Sequence, residues 1–165
     1  FTQLFVNGVR RRRPRLPKTG FHHFTGVAGH KFAGTWREGP DAAHFAPGDI
    51  QRWKNLDDVS IVALQLWFDT HHRVKKLDLE NNLVEFRAKS LGSLADDKEG
   101  FARYYVENVF EALGQCEFYL DRPAGRLHYM PADGETTENT QVVAPRLDTL
   151  TRNESLLRRH RWLSS

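Results

Sequence analysis

Apolar and polar side chains alternate along several short stretches of this chain, with the period of strands that are buried on one face. Residues 4–6 and the stretch from residue 9 flank Asn7-Gly8, which supplies the positive backbone angles of a two-residue turn. Two further hairpins are predicted, one turning near Asn81-Asn82 and one near residues 123–125. The chain is therefore predicted to be mainly β.

The densest apolar run covers residues 61–68, just after Asp57-Asp58, and is rich in β-branched and aromatic side chains. This run predicts a well-buried strand. Trp67 lies inside it and Tyr119 lies inside the third hairpin, so both aromatic side chains are predicted to be buried in the core.

Between residues 103 and 113 the apolar positions are spaced mostly three and four apart, and Gly114 follows as a candidate C-terminal cap. A short amphipathic helix is predicted there. Residues 18–47 are rich in Gly, His and Phe without a clear period, which favours a long loop with short strands. Together these features predict a compact β-sandwich or barrel-like module over about residues 45–140, with one short helix.

The chain has 165 residues, of which 39% are hydrophobic and 12% aromatic, enough apolar surface to exclude a wholly disordered protein. Cys116 is the single cysteine, so no internal disulfide and no cysteine-based zinc site is expected. No apolar run approaches the roughly 20 residues of a membrane-spanning helix. Membrane partners are therefore not expected.

The net charge of +3 is unevenly distributed along the chain. Residues 1–18 carry six basic side chains and no acidic one, whereas residues 19–145 carry 13 basic against 19 acidic side chains. The arginine run from Arg10 to Arg13 resembles a nucleic-acid arm, but an acidic body would repel phosphates. No nucleic-acid partner is expected.

Several segments, in one order, are similar to the glycoside hydrolase family 141-like proteins. The segments are residues 1–8 (FTQLFVNG), 45–50 (FAPGDI) with 53–59 (WKNLDDV), 66–67 with 73–74, 103–113 (RYYVENVFEAL), 118–122 (FYLDR) and 143–147 (VAPRL). That resemblance implies a right-handed parallel β-helix that carries an inserted domain. It also implies that residues 103–113 form the helix of that insertion.

On this resemblance, residues 1–18 are the strands that lead into the β-helix and residues 19–140 are the β-rich insertion. Residues 141–165 return toward the β-helix and end in a truncated or disordered tail. The chain is then an accessory part of a bacterial, exported, polysaccharide-acting enzyme, and it shapes or covers the glycan-binding groove. The alternative is a free-standing carbohydrate-binding or structural module without hydrolysis. The expected partners are a polysaccharide or oligosaccharide and the β-helix of the same parent chain.

The candidate chemistry is glycan contact by aromatic rings. Trp36 and Trp53 lie in loops, where an exposed ring can stack on a sugar, and are the predicted substrate-binding residues. No catalytic residue is predicted in this chain, because Asp57-Asp58 and Asp121 lie where turn and strand-end roles are favoured. No metal ion or other cofactor is expected, because the histidines lack the helical spacing of a zinc motif.

Overall fold

The computed structural model describes residues 2–27, 38–95 and 100–145, and within them it is almost entirely β. Two segments are 3₁₀-helices, η1 (Leu56–Asp58) and η2 (Phe110–Ala112). No helix in these three ranges is long and apolar enough to cross a membrane. The strands are β1 (Leu4–Val6), β2 (Val9–Arg11), β3 (Arg15–Leu16), β4 (His22–His23), β5 (Ala42–His44), β6 (Ser60–Leu64), β7 (Asp69–Asp78), β8 (Leu83–Phe86), β9 (Arg103–Glu107), β10 (Phe118–Asp121), β11 (Arg126–Tyr129) and β12 (Val142–Val143).

Seven of these strands form one antiparallel sheet with the order β3-β9-β6-β7-β8-β5, in which β4 also pairs with β9. The chain just after β4 joins the two edges of this sheet. Thr25 N donates to His44 O at 2.8 Å and His44 N donates to Gly26 O at 2.7 Å, while Phe24 N donates to Ala102 O at 3.2 Å. The sheet therefore closes on itself as a barrel, which confirms the predicted fold class.

The barrel interior is filled by the alternate side chains of its strands, because successive residues of a strand point to opposite faces. Ile61 and Ala63 of β6, and Tyr104 and Val106 of β9, are each fully buried. The long strand β7 pairs with β6 through its first half and with β8 through its second, and the register shifts between Val74 and Lys76. This bulge lets one strand bend around the barrel.

A smaller unit, which we call the lobe, packs beside the barrel. It consists of the three-stranded sheet β12-β1-β2 and the hairpin β10-β11. Its core holds three buried side chains, Leu4, Val6 and Phe118, with Tyr129 and Ala144 packed against them. Because β1 pairs with both β2 and β12, residues from the first and last described segments lie in one sheet.

All three predicted hairpins are confirmed. β1 and β2 turn at Asn7 (φ 51°) and Gly8 (φ 76°), the left-handed pair that a type I′ turn requires. β7 and β8 turn through residues 79–82, and β10 and β11 turn through residues 122–125.

The predicted helix over residues 103–113 is wrong. Residues 103–107 form β9, which lies between β6 on one side and β3 and β4 on the other, and only the three residues of η2 follow as a helical turn. The spacing of Tyr104 and Val106 also fits the period of two that is typical of a strand. Hydrogen bonds to three neighbouring strands favour the strand over the helix. Asn108, at φ 68°, then ends the strand in a conformation that Asn tolerates.

Candidate functional site

The two tryptophans predicted to bind sugar do not form an exposed pair among the described residues. Trp53 is only 7% exposed and packs in the barrel core beside Val59 and Val109, so the expectation that its loop exposes the ring is wrong. Trp36 lies outside the described residues. The loop around Trp53 is anchored by the packing of its indole ring in the apolar core of the barrel, and the composition of the loop alone does not predict this packing.

Trp67, in contrast to Trp53, lies at the surface. It is 88% exposed, so its predicted place in the core is wrong. β6 ends at Leu64, and Gln65 N donates to Phe68 O at 2.9 Å, which leaves Leu66 and Trp67 as a two-residue loop at the end of the β6–β7 hairpin. Leu66 is 52% exposed as well. We call this pair the aromatic tip.

A buried polar network supports the aromatic tip from inside the barrel. Gln65 Nε2 donates to Thr70 Oγ1 at 3.2 Å and to Ser90 Oγ at 2.7 Å, and Thr70 Oγ1 lies 2.8 Å from His72 Nε2. His72 stacks on Phe86 with ring centroids 4.3 Å apart. Burial lowers the pKa of His72 to about 4, so the imidazole is neutral at pH 7. The base of the tip is therefore ordered by neutral hydrogen bonds.

A wide cleft of about 870 Å³ lies where the arginine run passes the outer face of β9. We call it the arginine cleft. Arg15 lies over the ring of Tyr105, with Cζ 4.1 Å from the ring centroid. Glu107 is the one acidic side chain among the described residues that line the cleft. The basic lining residues are Arg10, Arg11, Arg12, Arg13 and Arg15, together with His71.

The β6–β7 hairpin joins the aromatic tip to the arginine cleft, since His71 of β7 lines the cleft. Tyr105 and His71, which line the cleft, are each paired with Val62 of β6, whose own side chain is fully buried. From Val62 the strand β6 continues to Leu64, and the aromatic tip follows in the turn before β7.

The carboxylate of Asp58 is held in a structural network. It accepts from Asn108 Nδ2 at 3.1 Å and pairs with Arg73 Nη1 at 3.2 Å, and Arg122 Nη1 contacts both of its oxygens. These partners come from β7, from the end of β9 and from the turn after β10. Asp58 thus joins the barrel to the lobe.

The other two acids considered from sequence are also structural. Asp57 pairs with Arg87 Nη2 at 2.8 Å and its side chain is 91% exposed. Asp121 Oδ1 accepts from Ala124 N at 3.1 Å, which caps the β10–β11 turn as predicted.

Two of the described histidines pair with acids. His22 Nδ1 lies 2.9 Å from Asp49 Oδ1, and Asp49 also accepts from the hydroxyl of Tyr104 at 3.0 Å. His71 pairs with Asp69. Across residues 2–27, 38–95 and 100–145, no group of three or more His, Cys, Asp or Glu side chains is placed to hold a metal ion.

Sequence reasoning missed the aromatic tip and the cleft for different reasons. The polar Gln65 interrupts the apolar run and Asp69 follows it, a signal that the run ends in a turn before Trp67. The arginine run was visible, but its neighbours in the cleft come from β7 and β9. Only the non-local strand pairing brings them together.

No protein-family model matches this chain, and no curated protein matches it. A solved structure described as "Glycoside hydrolase" is similar, with a TM-score of 0.71 over 91% of this chain. The chain shares the fold of part of a glycoside hydrolase. The sequence identity is 20%, and the match covers 27% of that protein's length, so the likeness concerns the fold of a portion.

Proposed function

We propose that this chain is a non-catalytic accessory domain of a glycoside hydrolase, and that it shapes or covers the groove in which the enzyme binds its glycan. The observation that carries the proposal is the match of 91% of this chain to 27% of a glycoside hydrolase. A domain of that relative size leaves the rest of such an enzyme to supply the catalytic carboxylates. The parent protein is, on the family resemblance, a bacterial exported enzyme built on a right-handed parallel β-helix.

The strand pairing of the lobe supports an insertion. β1 and β12 are antiparallel neighbours, with Phe5 opposite Val143, and Asn7 N donates to Gln141 O at 2.9 Å. The barrel is built from residues that lie between these two strands in sequence. A domain whose first and last strands pair can be inserted into a host fold with little distortion of it. The lobe is then the place where the domain joins the β-helix.

The aromatic tip supports contact with a glycan. An exposed indole on a rigid hairpin offers a flat apolar face, and the C–H faces of pyranose rings pack on such surfaces. Trp67 replaces Trp53 in this role, because the Trp53 ring is buried. Trp36 remains a proposed second contact.

The structural roles of Asp57, Asp58 and Asp121 support the absence of catalysis within this chain. The test is incubation of the purified chain with a panel of neutral and acidic polysaccharides, followed by measurement of retention and of released reducing ends. We expect retention on at least one polysaccharide without turnover. Turnover that disappears when Glu107 or another acid of the chain is replaced would contradict the proposal.

A free-standing carbohydrate-binding module is the second candidate, and the exposed Trp67 favours it equally. The two differ in how much of the binding the chain achieves by itself. Fusion of the chain to the remainder of a glycoside hydrolase should raise glycan affinity if the groove is shared between them. Equal affinity with and without that remainder favours the free-standing module.

A further inference from the structure

The arginine cleft has a charge imbalance that the described residues do not neutralise. Five guanidinium groups line it against one carboxylate, that of Glu107. Arg11 is committed to Glu135, and Arg15 donates to the carbonyl oxygens of Pro17 and Gly20. Within the described ranges, Arg10, Arg12 and Arg13 form no ion pair within 4 Å.

Arg13 is the most informative of these side chains because it is half-buried. Burial lowers the pKa of its guanidinium, and the nearby Glu107 only partly offsets that effect. Removing a cation from water without a direct partner is unfavourable, and an incoming anion would relieve the cost. An anion bound beside Arg13 would also be less screened by water than one at the open surface.

The geometry points to an acidic saccharide as the ligand of this cleft, held through the carboxylate of a uronic acid or through a sulfate ester. This inference rests on the proposed function and names the substrate class for it. Arginine binds planar and tetrahedral oxyanions through two parallel N–H groups. The cleft volume of about 870 Å³ falls in the range of small-molecule sites, which is about 300–1,000 Å³.

Glu107 and the aromatic rings favour a saccharide over a nucleic acid. A carboxylate in the cleft repels a continuous phosphate backbone, whereas it accepts hydrogen bonds from sugar hydroxyls. Single-stranded nucleic acids also bind by stacking bases on free aromatic faces. Here the face of Tyr105 is covered by Arg15.

Titration calorimetry at low salt tests the assignment with four ligands. They are a galacturonic acid trisaccharide, the corresponding neutral galactose trisaccharide, a sulfated trisaccharide and a single-stranded oligonucleotide. We expect one or both acidic saccharides to bind at least about tenfold more tightly than the neutral one, and to bind more tightly than the oligonucleotide. The tighter acidic ligand identifies the oxyanion as carboxylate or sulfate.

Two variants locate the site, and a third is the matched control. Arg13→Gln removes the half-buried cation, and the double variant Arg10→Gln/Arg12→Gln removes two exposed ones without threatening the fold. Each should weaken acidic-saccharide binding by about tenfold or more. Arg52→Gln makes the same charge change as Arg13→Gln at an exposed loop position and should change affinity less than about twofold.

Equal affinity for the acidic and neutral trisaccharides, preference for the oligonucleotide, or unchanged affinity in both arginine variants would each overturn the inference. If neutral glycans bind and Trp67→Ala abolishes that binding while Arg13→Gln does not affect it, the inference fails and the proposed function stands. If no saccharide binds at all, both fail.

Discussion

The barrel and the lobe are stabilised in different ways. The barrel encloses a large apolar core in which Tyr104, Ile61 and Val106 are fully buried, whereas the apolar cluster described in the lobe contains three buried residues. The lobe instead relies on polar links, such as the contact of Arg11 with Glu135 and the 2.6 Å hydrogen bond from Tyr129 to the same carboxylate. The barrel should therefore be the more stable unit, and the lobe the more sensitive to salt.

The two described tryptophans Trp53 and Trp67 differ in how much they contribute to the stability of the fold. Trp53 lies in the barrel core although it follows a loop, and Trp67 lies in solvent although it follows a strand. The contribution of an apolar side chain to stability depends on the area that it removes from water on folding. In this chain the local sequence does not predict that area for either tryptophan.

The largest expected effect is the loss of the Trp53 side chain. Trp53→Ala removes a buried ring and leaves a cavity in the barrel, so it should lower the free energy of unfolding by about 3–5 kcal/mol. Chemical denaturation measures this loss. A loss of less than about 1 kcal/mol would show that the barrel core does not depend on this side chain.

Acidification should destabilise the barrel through His72. Its pKa is about 4 in the fold, so the unfolded chain, with a pKa near 6.5, binds the proton first as pH falls. The stability that depends on neutral His72 is complete above pH 6.5 and declines as pH falls toward 4. At pH 4.5 the loss should be about 2.5 kcal/mol relative to pH 7.

Matched histidine variants isolate that effect. His72→Gln should remove this part of the pH dependence, whereas His71→Gln changes the adjacent, exposed residue and should keep it. Unfolding free energies at pH 7 and pH 4.5 for the three proteins decide the point. Identical pH dependence in parent and His72→Gln would contradict a buried neutral imidazole.

The link between barrel and lobe should depend on Asp58. Asp58→Ala removes the carboxylate that Arg73, Arg122 and Asn108 share, while the backbone carbonyl of residue 58 still accepts from Arg73 and Asn108. The stability should fall by about 2 kcal/mol, since the arginines are partly exposed. Asp57→Ala alters the neighbouring, exposed carboxylate and should cost less than about 0.5 kcal/mol. An equal loss of unfolding free energy in the two variants would show that the Asp58 network does not stabilise the link between barrel and lobe.

Local signals in the sequence were sufficient for the hairpins but not for the barrel. Asn7-Gly8 specifies its turn by backbone conformation alone, so the β1–β2 pairing was predictable. Barrel closure depends on hydrogen bonds between Thr25 and His44, which no local pattern encodes. β9 was predicted as a helix because an isolated segment with mixed periods gains its strand conformation only from its three neighbours.

The candidate site was predictable only in its chemistry. Aromatic contact with a sugar was expected, but the ring that offers it is Trp67, at a turn that forms because β6 and β7 pair down to Leu64 and Asp69. The arginine run was evident as a charge, and its cleft exists only once β9 passes beside it.

The smallest effect on stability and the largest on binding are expected at the aromatic tip. Trp67→Ala should change the free energy of unfolding by less than about 0.5 kcal/mol, because the ring is already in solvent. The same change should weaken glycan binding by about tenfold or more, since a stacked aromatic ring contributes heavily to affinity.

The most direct test of the account is a titration of the best-retained oligosaccharide into the parent chain, Trp67→Ala and Leu127→Ala. Leu127 is a comparably placed apolar residue, 40% exposed on the β10–β11 hairpin, and serves as the control. Affinity should fall in Trp67→Ala alone, with all three melting temperatures equal within about 2 °C. Unchanged affinity in Trp67→Ala, or an equal loss in both variants, would contradict it.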